Sequence, residues 1–328
     1  MQELPSEKKR KRLIKVSVET DPYHGKHPGK KTVSELLQNS IIILDKPSGP
    51  TAHQVDSWVR KIFSIEKVGH AGTLDPKVTG ILPLGIGQAT KALSILSEAG
   101  KEYVGVMKLH KTVPQKKIES VFKEFTGTIT QLPPVRSAVK RVKRNRQIYY
   151  LHLLEQNDTE VLFRVGCEAG TYVRTLCVDI GKKLVIGAQL AELRRTKVGQ
   201  FTEKDLVTLH DVKDGFVFYN EGNPEELKKV LQPVERVFDF LPKIILRDSA
   251  IDAICHGATL AVPGVVEVDT DISKNDVIAL FSIKQEIIAI GKALMSTEEI
   301  IEKDTGVCVN PEKVFMKKKT YPSIWKKH

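Results

Sequence analysis

The loop around which this chain is organised reads Gly69-His70-Ala71-Gly72-Thr73-Leu74-Asp75-Pro76-Lys77-Val78-Thr79-Gly80. Three glycines and a proline in so short a stretch predict a loop with special backbone angles, not a helix or a strand. The one carboxylate, Asp75, precedes Pro76, which disfavours helical geometry at Asp75. Because Asp-Pro pairs are also common at ordinary turns, a chemical role for Asp75 depends on the rest of the chain.

Regular elements are predicted on both sides of this loop. The apolar run 41–44 predicts a buried strand, and Thr51 with Gln54 forms the capping-box pattern of a helix that follows it. The helix stripe predicted to face a core is Val55, Trp58, Val59, Ile62 and Phe63. After the loop, the pattern predicts a helix over 89–99, a strand over 101–110 that carries Tyr103, and a helix over 114–125.

The overall composition indicates a soluble globular protein with an anionic partner. A chain of 328 residues allows one large or two modest domains, and its net charge of +11 points first to nucleic acid and second to a membrane surface. No apolar run is long enough to span a membrane, and the basic cluster at 8–12 is not followed by the apolar core of a signal peptide. The cysteines form no C-x-x-C pair, which favours a reducing, cytoplasmic location.

The stretch 131–150 is rich in Lys and Arg and contains no acidic residue. Such a charge run is often only a solvated face. Here the cations alternate with valines and tyrosines, a mixture that suits a mobile basic arm gripping phosphates. The candidate RNA contacts in this stretch are Arg141, Lys143, Arg144 and Arg146.

Two strands are predicted over 148–155 and 161–167, followed by a helix with Thr171 at its N-cap. Arg174 then falls in the first helical turn, where a cation opposes the helix macrodipole. This placement predicts a specific carboxylate partner for Arg174.

The sequence composition changes from residue 243 onward. Short β-branched runs separated by glycines and prolines predict a small all-β barrel of about 75 residues with a helix over 248–256 packed on it. Residues 1–39 are polar and basic and read as an extension that docks onto another part of the protein. The end of the chain, 319–328, is predicted to be a basic surface tail.

Common cofactor and metal motifs are absent from the sequence. The glycines near residue 85 match neither a P-loop nor a dinucleotide fingerprint, and no cluster of His, Cys and carboxylates has metal-ligand spacing. Asp75, Tyr103 and Arg174 remain as the chemistry-bearing candidates, with no cofactor or metal implied. A carboxylate beside an arginine is favoured in its ionised, nucleophilic form over the role of general acid.

Five motifs between residues 41 and 201 resemble, in their order, those of the TruB family of pseudouridine synthases. They are Leu44-Asp45-Lys46-Pro47-Ser48-Gly49, Gly69 to Pro76, Lys101-Glu102-Tyr103, Gly170-Thr171-Tyr172-Val173-Arg174-Thr175-Leu176 and Leu193-Arg194-Arg195. The C-terminal segments that resemble a PUA domain are Leu246-Arg247-Asp248-Ser249-Ala250 and Cys255-His256-Gly257-Ala258. With its basic N-terminal extension the chain is similar to the dyskerin-like H/ACA branch of the family. Eukaryotic members carry a long Lys-rich tail, so the end at His328 leads us to expect an archaeal source.

The resemblance implies roles for named residues. Asp75 is implied as the nucleophile or base that acts on uridine, whether at C6 of the ring or at C1′ of the ribose. Tyr103 is implied to stack on the flipped uracil and Arg174 to pair with Asp75. The implied substrate-binding residues are Lys46 and Pro47 in the wall of the site, His70 in the space that the flipped base leaves, and Leu193 in the pocket.

The resemblance also implies the fold, the domains and the partners. The expected fold class is α+β: a mixed, largely antiparallel central sheet flanked by helices over 40–242, with a thumb loop near 131–150, plus a small all-β PUA barrel over 243–318. The extension 1–39 is expected to pack near the PUA domain.

The implied activity is conversion of uridine to pseudouridine in ribosomal RNA by a guide-RNA particle. The implied partners are an H/ACA guide RNA, rRNA and tRNA substrates, a zinc-ribbon-type peptide and a kink-turn-binding ribosomal-type protein, and no membrane. A stand-alone synthase for tRNA uridine 55 remains an alternative. A non-catalytic RNA-binding scaffold is a distant alternative, against which Asp75, Tyr103 and Arg174 argue.

Overall fold

The computed structural model describes residues 3–133 and 140–323. Residues 134–139 of the predicted basic arm and 324–328 of the predicted basic tail lie outside the described residues. The chain divides into two compact units. The first unit comprises Met1–Lys8 and Ile41–Leu231, and the second comprises Lys9–Ser40 and Gln232–His328.

The regular elements of both units are as follows. The strands are β1 (Arg12–Ile14), β2 (Asn39–Lys46), β3 (Val68–His70), β4 (Thr79–Gly87), β5 (Lys101–Leu109), β6 (Gly127–Gln131), β7 (Arg144–Asn157), β8 (Glu160–Cys167), β9 (Ala188–Val198), β10 (Phe201–Thr202), β11 (Gln232–Pro233), β12 (Lys243–Leu246), β13 (Leu260–Ala261), β14 (Val265–Asp269), β15 (Val277–Ser282), β16 (Ile287–Ala293) and β17 (Val307–Val314). The α-helices are α1 (Val33–Gln38), α2 (Ala52–Phe63), α3 (Leu93–Glu98), α4 (Gln115–Glu124), α5 (Val173–Lys183), α6 (Leu209–Asn220), α7 (Glu225–Val230), α8 (Asp248–Cys255) and α9 (Thr297–Glu302).

A mixed sheet organises the first unit. Its strands follow the order β2-β4-β9-β5-β8-β7-β6, with β3 paired to β4 and β10 to β9. The β4–β9 pair is parallel, whereas β9–β5, β5–β8, β8–β7 and β7–β6 are antiparallel. Helices α4 and α5 pack an apolar cluster against β5, β7 and β8, so the predicted largely antiparallel sheet flanked by helices is confirmed.

Helix α2 starts as the sequence predicts. The Thr51 hydroxyl accepts from the Gln54 amide and the Gln54 side chain accepts from the Thr51 amide, which closes the capping box. Val55, Val59 and Phe63 are buried, as expected. The prediction for Trp58 is wrong: this side chain is 42% exposed, because it lies at the edge of the buried stripe.

Two other helix predictions need correction. The predicted helix over 89–99 is a 3-10 turn over Gln88–Lys91 followed by the short helix α3. The N-cap of α5 is Tyr172 and not Thr171, whose hydroxyl donates instead to the Glu168 carbonyl at 2.7 Å. Arg174 nevertheless lies in the first turn of α5, as predicted.

The basic arm is shorter than the sequence suggests. Strand β7 begins at Arg144, so Arg144 and Arg146 belong to a β-hairpin with β6 and not to a loop. The reason is tertiary: residues 144–147 pair with β6, which extends the strand beyond Ile148 into residues whose local composition favours a loop.

The second unit is a curled β sheet around one core. Its strand order is β1-β14-β12-β15-β16-β17-β13, antiparallel except for the β12–β15 pair. Helix α8 packs its apolar face, including Ile251 and Ile254, onto this core. The predicted all-β domain is present, with the unpredicted β17 and α9 added to it.

The N-terminal extension is divided between the units. Strand β1 pairs with β14 and so adds an edge strand to the second unit. Residues 3–8 instead belong to the first unit: Leu4 is buried there, and Glu7 forms an ion pair with Lys197 at 2.5 Å. Residues 3–8 therefore belong to a different compact unit from residues 9–39.

No helix among the described residues combines the length and apolarity that crossing a bilayer requires.

Candidate active site

Asp75 lies at the centre of a tight turn between β3 and β4. The Asp75 carbonyl accepts from the Val78 amide at 3.0 Å, which closes the turn around Pro76. Gly72, three residues earlier, has a φ of +72°, a conformation that favours glycine. The turn therefore presents one carboxylate to solvent.

The partner of Asp75 is Arg174. The Arg174 Nη2 contacts Asp75 Oδ2, and both side chains are more than half exposed to solvent. The carboxylate thus supplies the anion that a cation in the first turn of α5 requires. The structure brings together two residues that are 99 positions apart in sequence.

A cavity of about 450 Å³ opens beside this ion pair. Tyr103 from β5 and Leu193 from β9 line it together with Asp75 and Arg174. Strand pairing explains their proximity, because β5 and β9 are antiparallel neighbours and Leu193 lies opposite Gly105, two residues from Tyr103. The cavity combines an aromatic face, an apolar wall and a carboxylate, and its size suits a nucleobase with its sugar.

Two buried cations hold the backbone of the Asp75 turn. Lys46, which is 0% exposed, donates to the carbonyls of Pro47, Pro76 and Val78, each at 2.9 Å. Arg195, which is 1% exposed, donates from Nη2 to the Gly72 carbonyl at 2.9 Å. The turn is therefore fixed on both sides of Asp75.

Arg195 also contacts the neighbouring strand and lies near Tyr103. Its Nε donates to the Ile81 carbonyl at 2.7 Å, and Arg195 and Tyr103 both line the cavity. Burial raises the pKa of Tyr103, an effect that the nearby Arg195 charge partly offsets. Tyr103 is therefore a neutral phenol at the wall of the cavity.

Lys101 is a third buried cation at the cavity. Its ammonium donates to the carbonyls of Leu96, Ser97 and Ala99 at 2.5–3.2 Å, which satisfies the C-terminal end of α3. Burial, reinforced by the positive charge of Arg195, lowers the pKa of Lys101 to about 8. The same two causes lower the pKa of Lys46.

Gly80 allows β4 and β9 to approach closely at this point. It pairs with Arg195 across the parallel β4–β9 ladder, and its φ is +98°. A Cβ at this position would lie 2.2 Å from the Arg195 carbonyl oxygen. Gly80, the last glycine of the loop, therefore allows Arg195 to lie next to the Asp75 turn.

The remaining implied substrate-binding residues lie around the cavity without lining it. Pro47 is exposed, and Lys46 acts through the backbone of the turn. His70 ends β3; its Nδ1 is 2.7 Å from Asp56 Oδ2, and its Nε2 is 3.2 Å from Thr73 Oγ1. Of Asp56, His70 and Thr73, only Thr73 lines the cavity.

A second, basic groove adjoins Arg174. Its volume is about 490 Å³, and Arg141, Lys143 and Lys182 contribute cations to it. Arg146, on β7, lies against Gly170, which is part of the loop that leads into α5. The groove offers several cations that can contact phosphates, and it shares Arg174 with the cavity.

Three buried residues of the site had no predicted role: Arg195, Lys101 and Asp56. Arg195 and Lys101 were visible in the sequence as parts of motifs, but nothing marked them as buried. A cation among apolar strand residues was the only available signal. Asp56 is on the buried face of α2, where an acidic residue interrupts the apolar stripe.

Family models match almost the whole chain. They are the TruB family pseudouridylate synthase N-terminal domain over residues 60–173, the tRNA pseudouridylate synthase B C-terminal domain over 174–239, the PUA domain over 242–315 and the DKCLD (NUC011) domain over 2–56. The four matches follow one another along the sequence with little overlap or gap.

Two proteins of similar length are each about 50% identical in sequence to this chain. The chain is 51% identical over 325 residues to the probable tRNA pseudouridine synthase B of Methanosarcina barkeri, covering 99% of this chain and 96% of that protein. It is 49% identical to the protein of the same name from Pyrococcus abyssi, covering 98% and 97%.

Solved structures agree in fold over the same length. A chain of the crystal structure of a Cbf5–Nop10–Gar1 complex superposes with a TM-score of 0.93 at 47% identity, covering 98% of this chain and 99% of that one. The structure of an H/ACA RNP bound to a substrate RNA containing 2′-deoxyuridine gives 0.91 at 46% identity and the same coverage. With its motifs grouped around one carboxylate and matches of this extent, the chain belongs to the TruB family of pseudouridine synthases.

Proposed function

We propose that this chain converts uridine to pseudouridine in RNA and that the cavity beside Asp75 and Arg174 is where it does so. The reaction breaks the bond between N1 of uracil and C1′ of the ribose and forms one between C5 and C1′, so no atom is gained or lost. The observation that carries the proposal is the exposed Asp75–Arg174 pair at a nucleotide-sized cavity lined by Tyr103 and Leu193.

Each side chain has a role that follows from its position. The uridine leaves its stack and enters the cavity, where the Tyr103 ring covers one face of the base and Leu193 gives an apolar contact. Asp75 attacks the nucleotide or removes a proton from it. Arg174 orients the carboxylate through their ion pair until the uridine arrives.

The cost of extracting a uridine from its stack is a few kcal/mol, and contacts to the surrounding RNA must offset it. Arg141 and Lys143 in the basic groove beside Arg174 are placed to bind phosphates next to the flipped nucleotide. Arg144 and Arg146 extend the cationic surface along β7. We assign these four residues to substrate RNA.

We further propose that the chain acts as the catalytic subunit of an H/ACA guide-RNA ribonucleoprotein. Support comes from the high similarity along the full length to chains of the Cbf5–Nop10–Gar1 complex and of the H/ACA RNP bound to substrate RNA. The partners in this proposal are a guide RNA, rRNA and small particle proteins, among them a zinc-ribbon-type peptide and a kink-turn-binding protein. The four cysteines are free, which fits a cytoplasmic particle.

The guide has a candidate docking site of its own in the second unit. A cavity of about 1110 Å³ lies between α8 and the 3-10 turn after β13, and its lining includes Arg247, His256 and Pro263. One cation and one imidazole in a mainly apolar cavity suit stacked, unpaired nucleotides. The PUA unit would then hold RNA and leave the chemistry to the first unit.

Reconstitution tests the guided role. Full-length chain with partner proteins should convert uridine in an rRNA fragment only when a complementary H/ACA guide is present, as read by primer extension after carbodiimide treatment. Unmodified rRNA in the complete mixture, with tRNA still converted by the chain alone, would overturn the guided role and leave the activity itself intact.

A stand-alone synthase for tRNA uridine 55 is the second candidate. The observation that favours it is the name shared by the relatives from Methanosarcina and Pyrococcus, probable tRNA pseudouridine synthase B. The same assay with unmodified tRNA and no guide measures it. The scaffold alternative predicts no conversion in any mixture.

Replacing Asp75 tests the chemistry itself. Asp75→Asn keeps the shape of an exposed side chain but removes the anion, so turnover should fall by about 10³-fold or more while RNA affinity stays nearly unchanged. Asp45→Asn is the matched control, because Asp45 forms a bidentate ion pair with Arg194 at 2.9 and 3.0 Å but does not line the cavity. Loss of RNA binding together with activity in Asp75→Asn, but not in Asp45→Asn, would mean that Asp75 only shapes its turn.

A further inference from the structure

A cluster of two histidines and an aspartate lies beside the active-site turn. His53 and Asp56 are one helical turn apart on the same face of α2, and His70 at the end of β3 faces them. One ligand atom from each side chain lies within 4.8 Å of the other two. All three residues belong to the first unit, and none of them lines the Asp75 cavity.

The distances within the cluster suit a tetrahedral metal ion. Asp56 Oδ2 is 2.7 Å from His70 Nδ1 and 3.8 Å from His53 Nδ1. Ligands at the usual zinc distances of roughly 2.0–2.1 Å lie about 3.3 Å apart in a tetrahedron, so the two measured separations bracket the required one. Rotation of the exposed His53 would bring its imidazole closer, and a shift of about 0.6 Å between His70 and Asp56 would give the remaining ligand spacing.

The carboxylate of Asp56 is incompletely satisfied. Asp56 is 6% exposed, and its Oδ1 is buried with no hydrogen-bond donor among the described residues. A buried carboxylate oxygen without a donor is costly, and a cation is one way to satisfy it. His53, by contrast, is 85% exposed, so a metal ion has a path to the cluster and room for a water ligand.

The second imidazole nitrogen of His70 already has the partner that a metal ligand requires. Its Nε2 lies 3.2 Å from the Thr73 hydroxyl oxygen. With a metal on Nδ1, the proton must sit on Nε2 and be donated to Thr73, as metal-bound histidines commonly donate their other N–H to a polar group. Without a metal, Nδ1 donates to Asp56 and Nε2 accepts from Thr73.

We propose that His53, Asp56 and His70 form a binding site for a divalent transition-metal ion of the zinc class. Two imidazoles and one carboxylate are ligands that Zn²⁺ prefers over Mg²⁺ or Ca²⁺, which favour sets of oxygens. The ion joins α2 to the end of β3 and fixes the direction of the Thr73 hydroxyl at the edge of the Asp75 cavity. Its role is to hold the loop that carries Asp75, and it takes no part in bond exchange.

Cobalt titration of the full-length chain tests the site directly. Metal-free protein should bind one equivalent of Co²⁺ with visible d–d bands of a four- or five-coordinate ion, and Zn²⁺ should displace it. No sulfur-to-cobalt charge-transfer band is expected, because all four cysteines are buried elsewhere. Such a band, or bands of six-coordinate cobalt only, would overturn the proposal.

Three variants give the comparison. His53→Ala removes an exposed ligand and should weaken Co²⁺ binding by about tenfold or more without unfolding the protein, and Asp56→Asn should do the same. His256→Ala is the matched control, because His256 faces Asp252 at 3.6 Å on α8 without a second histidine. Equal affinity in wild type and His53→Ala would overturn the site and leave a hydrogen-bonded His70–Asp56 pair only.

Nitrogen chemical shifts of His70 give an independent reading. The Nδ1–H tautomer is expected in metal-free protein and the Nε2–H tautomer after one equivalent of Zn²⁺, whereas in His53→Ala the Nδ1–H form should persist at the same Zn²⁺ concentration. A tautomer that does not change with Zn²⁺ in the wild type would contradict the proposal even if metal binds elsewhere.

Discussion

The charged groups at the mouth of the cavity differ from those beneath it. Asp75 and Arg174 form an exposed ion pair, with 56% and 55% of their side chains accessible. Lys46 and Arg195 below them are buried, and their hydrogen bonds go to backbone carbonyls of the turn and the adjacent strands. The upper pair is accessible to substrate, whereas the lower cations determine where the upper pair is held.

The difference teaches how a short turn can present one carboxylate reproducibly. Ala71, Leu74 and Val78 of this loop are buried apolar residues, whereas the backbone carbonyls of residues 72, 76 and 78 take their hydrogen bonds from side chains. Buried cations bound to Gly72 on one side of Asp75 and to Pro76 and Val78 on the other restrain the turn. Precision at the reacting group thus depends on residues that never touch the substrate.

The choice of carbonyls as partners has an electrostatic consequence. A carbonyl accepts a hydrogen bond but does not neutralise a cation, so positive charge persists beneath the cavity. The mutual repulsion of Lys46 and Arg195 adds to burial in lowering the pKa of Lys46, while Asp75 opposes this change. The positive charge of the buried layer therefore favours anions such as phosphates at the mouth of the cavity.

The largest loss of stability is expected when the buried Arg195 is replaced. Arg195→Met roughly keeps the volume but leaves the Gly72 and Ile81 carbonyls without their donor. Because an unsatisfied buried acceptor costs about 1–3 kcal/mol, the free energy of unfolding of the first unit should fall by about 3 kcal/mol, as measured by urea denaturation.

The neighbouring residue provides the control. Arg194 lies in the same strand, is partly exposed and pairs with Asp45 and Glu203. Arg194→Met should therefore lower stability by less than about 1 kcal/mol. Equal losses in Arg194→Met and Arg195→Met would remove the distinction between the exposed and the buried layer.

Substitution of Arg174 should affect catalysis more than stability. Arg174→Lys keeps the charge but loses the planar fork that orients the Asp75 carboxylate. Because a small displacement of a reacting group can cost up to about 10²-fold, we expect kcat to fall by about ten- to a hundredfold, which single-turnover assays would measure. The free energy of unfolding should change by less than about 0.5 kcal/mol, since the pair is exposed. A large loss of stability without a change in kcat would show that Arg174 belongs to the supporting layer.

Local patterns account for what the sequence predicted correctly. The capping box at Thr51, the apolar stripe of α2 apart from Trp58 and the short β-branched runs of the second unit are short-range signals, and the structure contains each of them. The cation in the first turn of α5 was informative for the same reason. Its conflict with the helix dipole could be read without knowing the fold, and it predicted a carboxylate.

What the sequence did not predict depends on convergence in three dimensions. Arg195 is buried because carbonyls from residues 72 and 81 meet it across the sheet, a condition that no window of sequence contains. The strand character of Arg144 depends in the same way on its pairing with Gln131 of β6. Strand β17 was missed because its Asn310-Pro311 pair has the composition of a turn.

The smallest predicted effect concerns another exposed ion pair, Lys26–Glu35 in the second unit. A hydrogen bond from Lys26, together with the Thr32 amide of a capping box, lowers the pKa of Glu35 from 4.5 to about 2. Its stabilising contribution should therefore be complete above pH 4.5 and decline as the pH falls towards 2. Because both side chains are over 40% exposed, solvent screening limits the contribution to less than about 1 kcal/mol. The difference in urea midpoint between wild type and Glu35→Gln should be measurable at pH 6 and shrink at pH 3. A difference that stayed constant over this range would mean that the ionisation of Glu35 does not contribute to the free energy of unfolding. Exposed ion pairs would then stabilise the protein even less, relative to Arg195, than we expect.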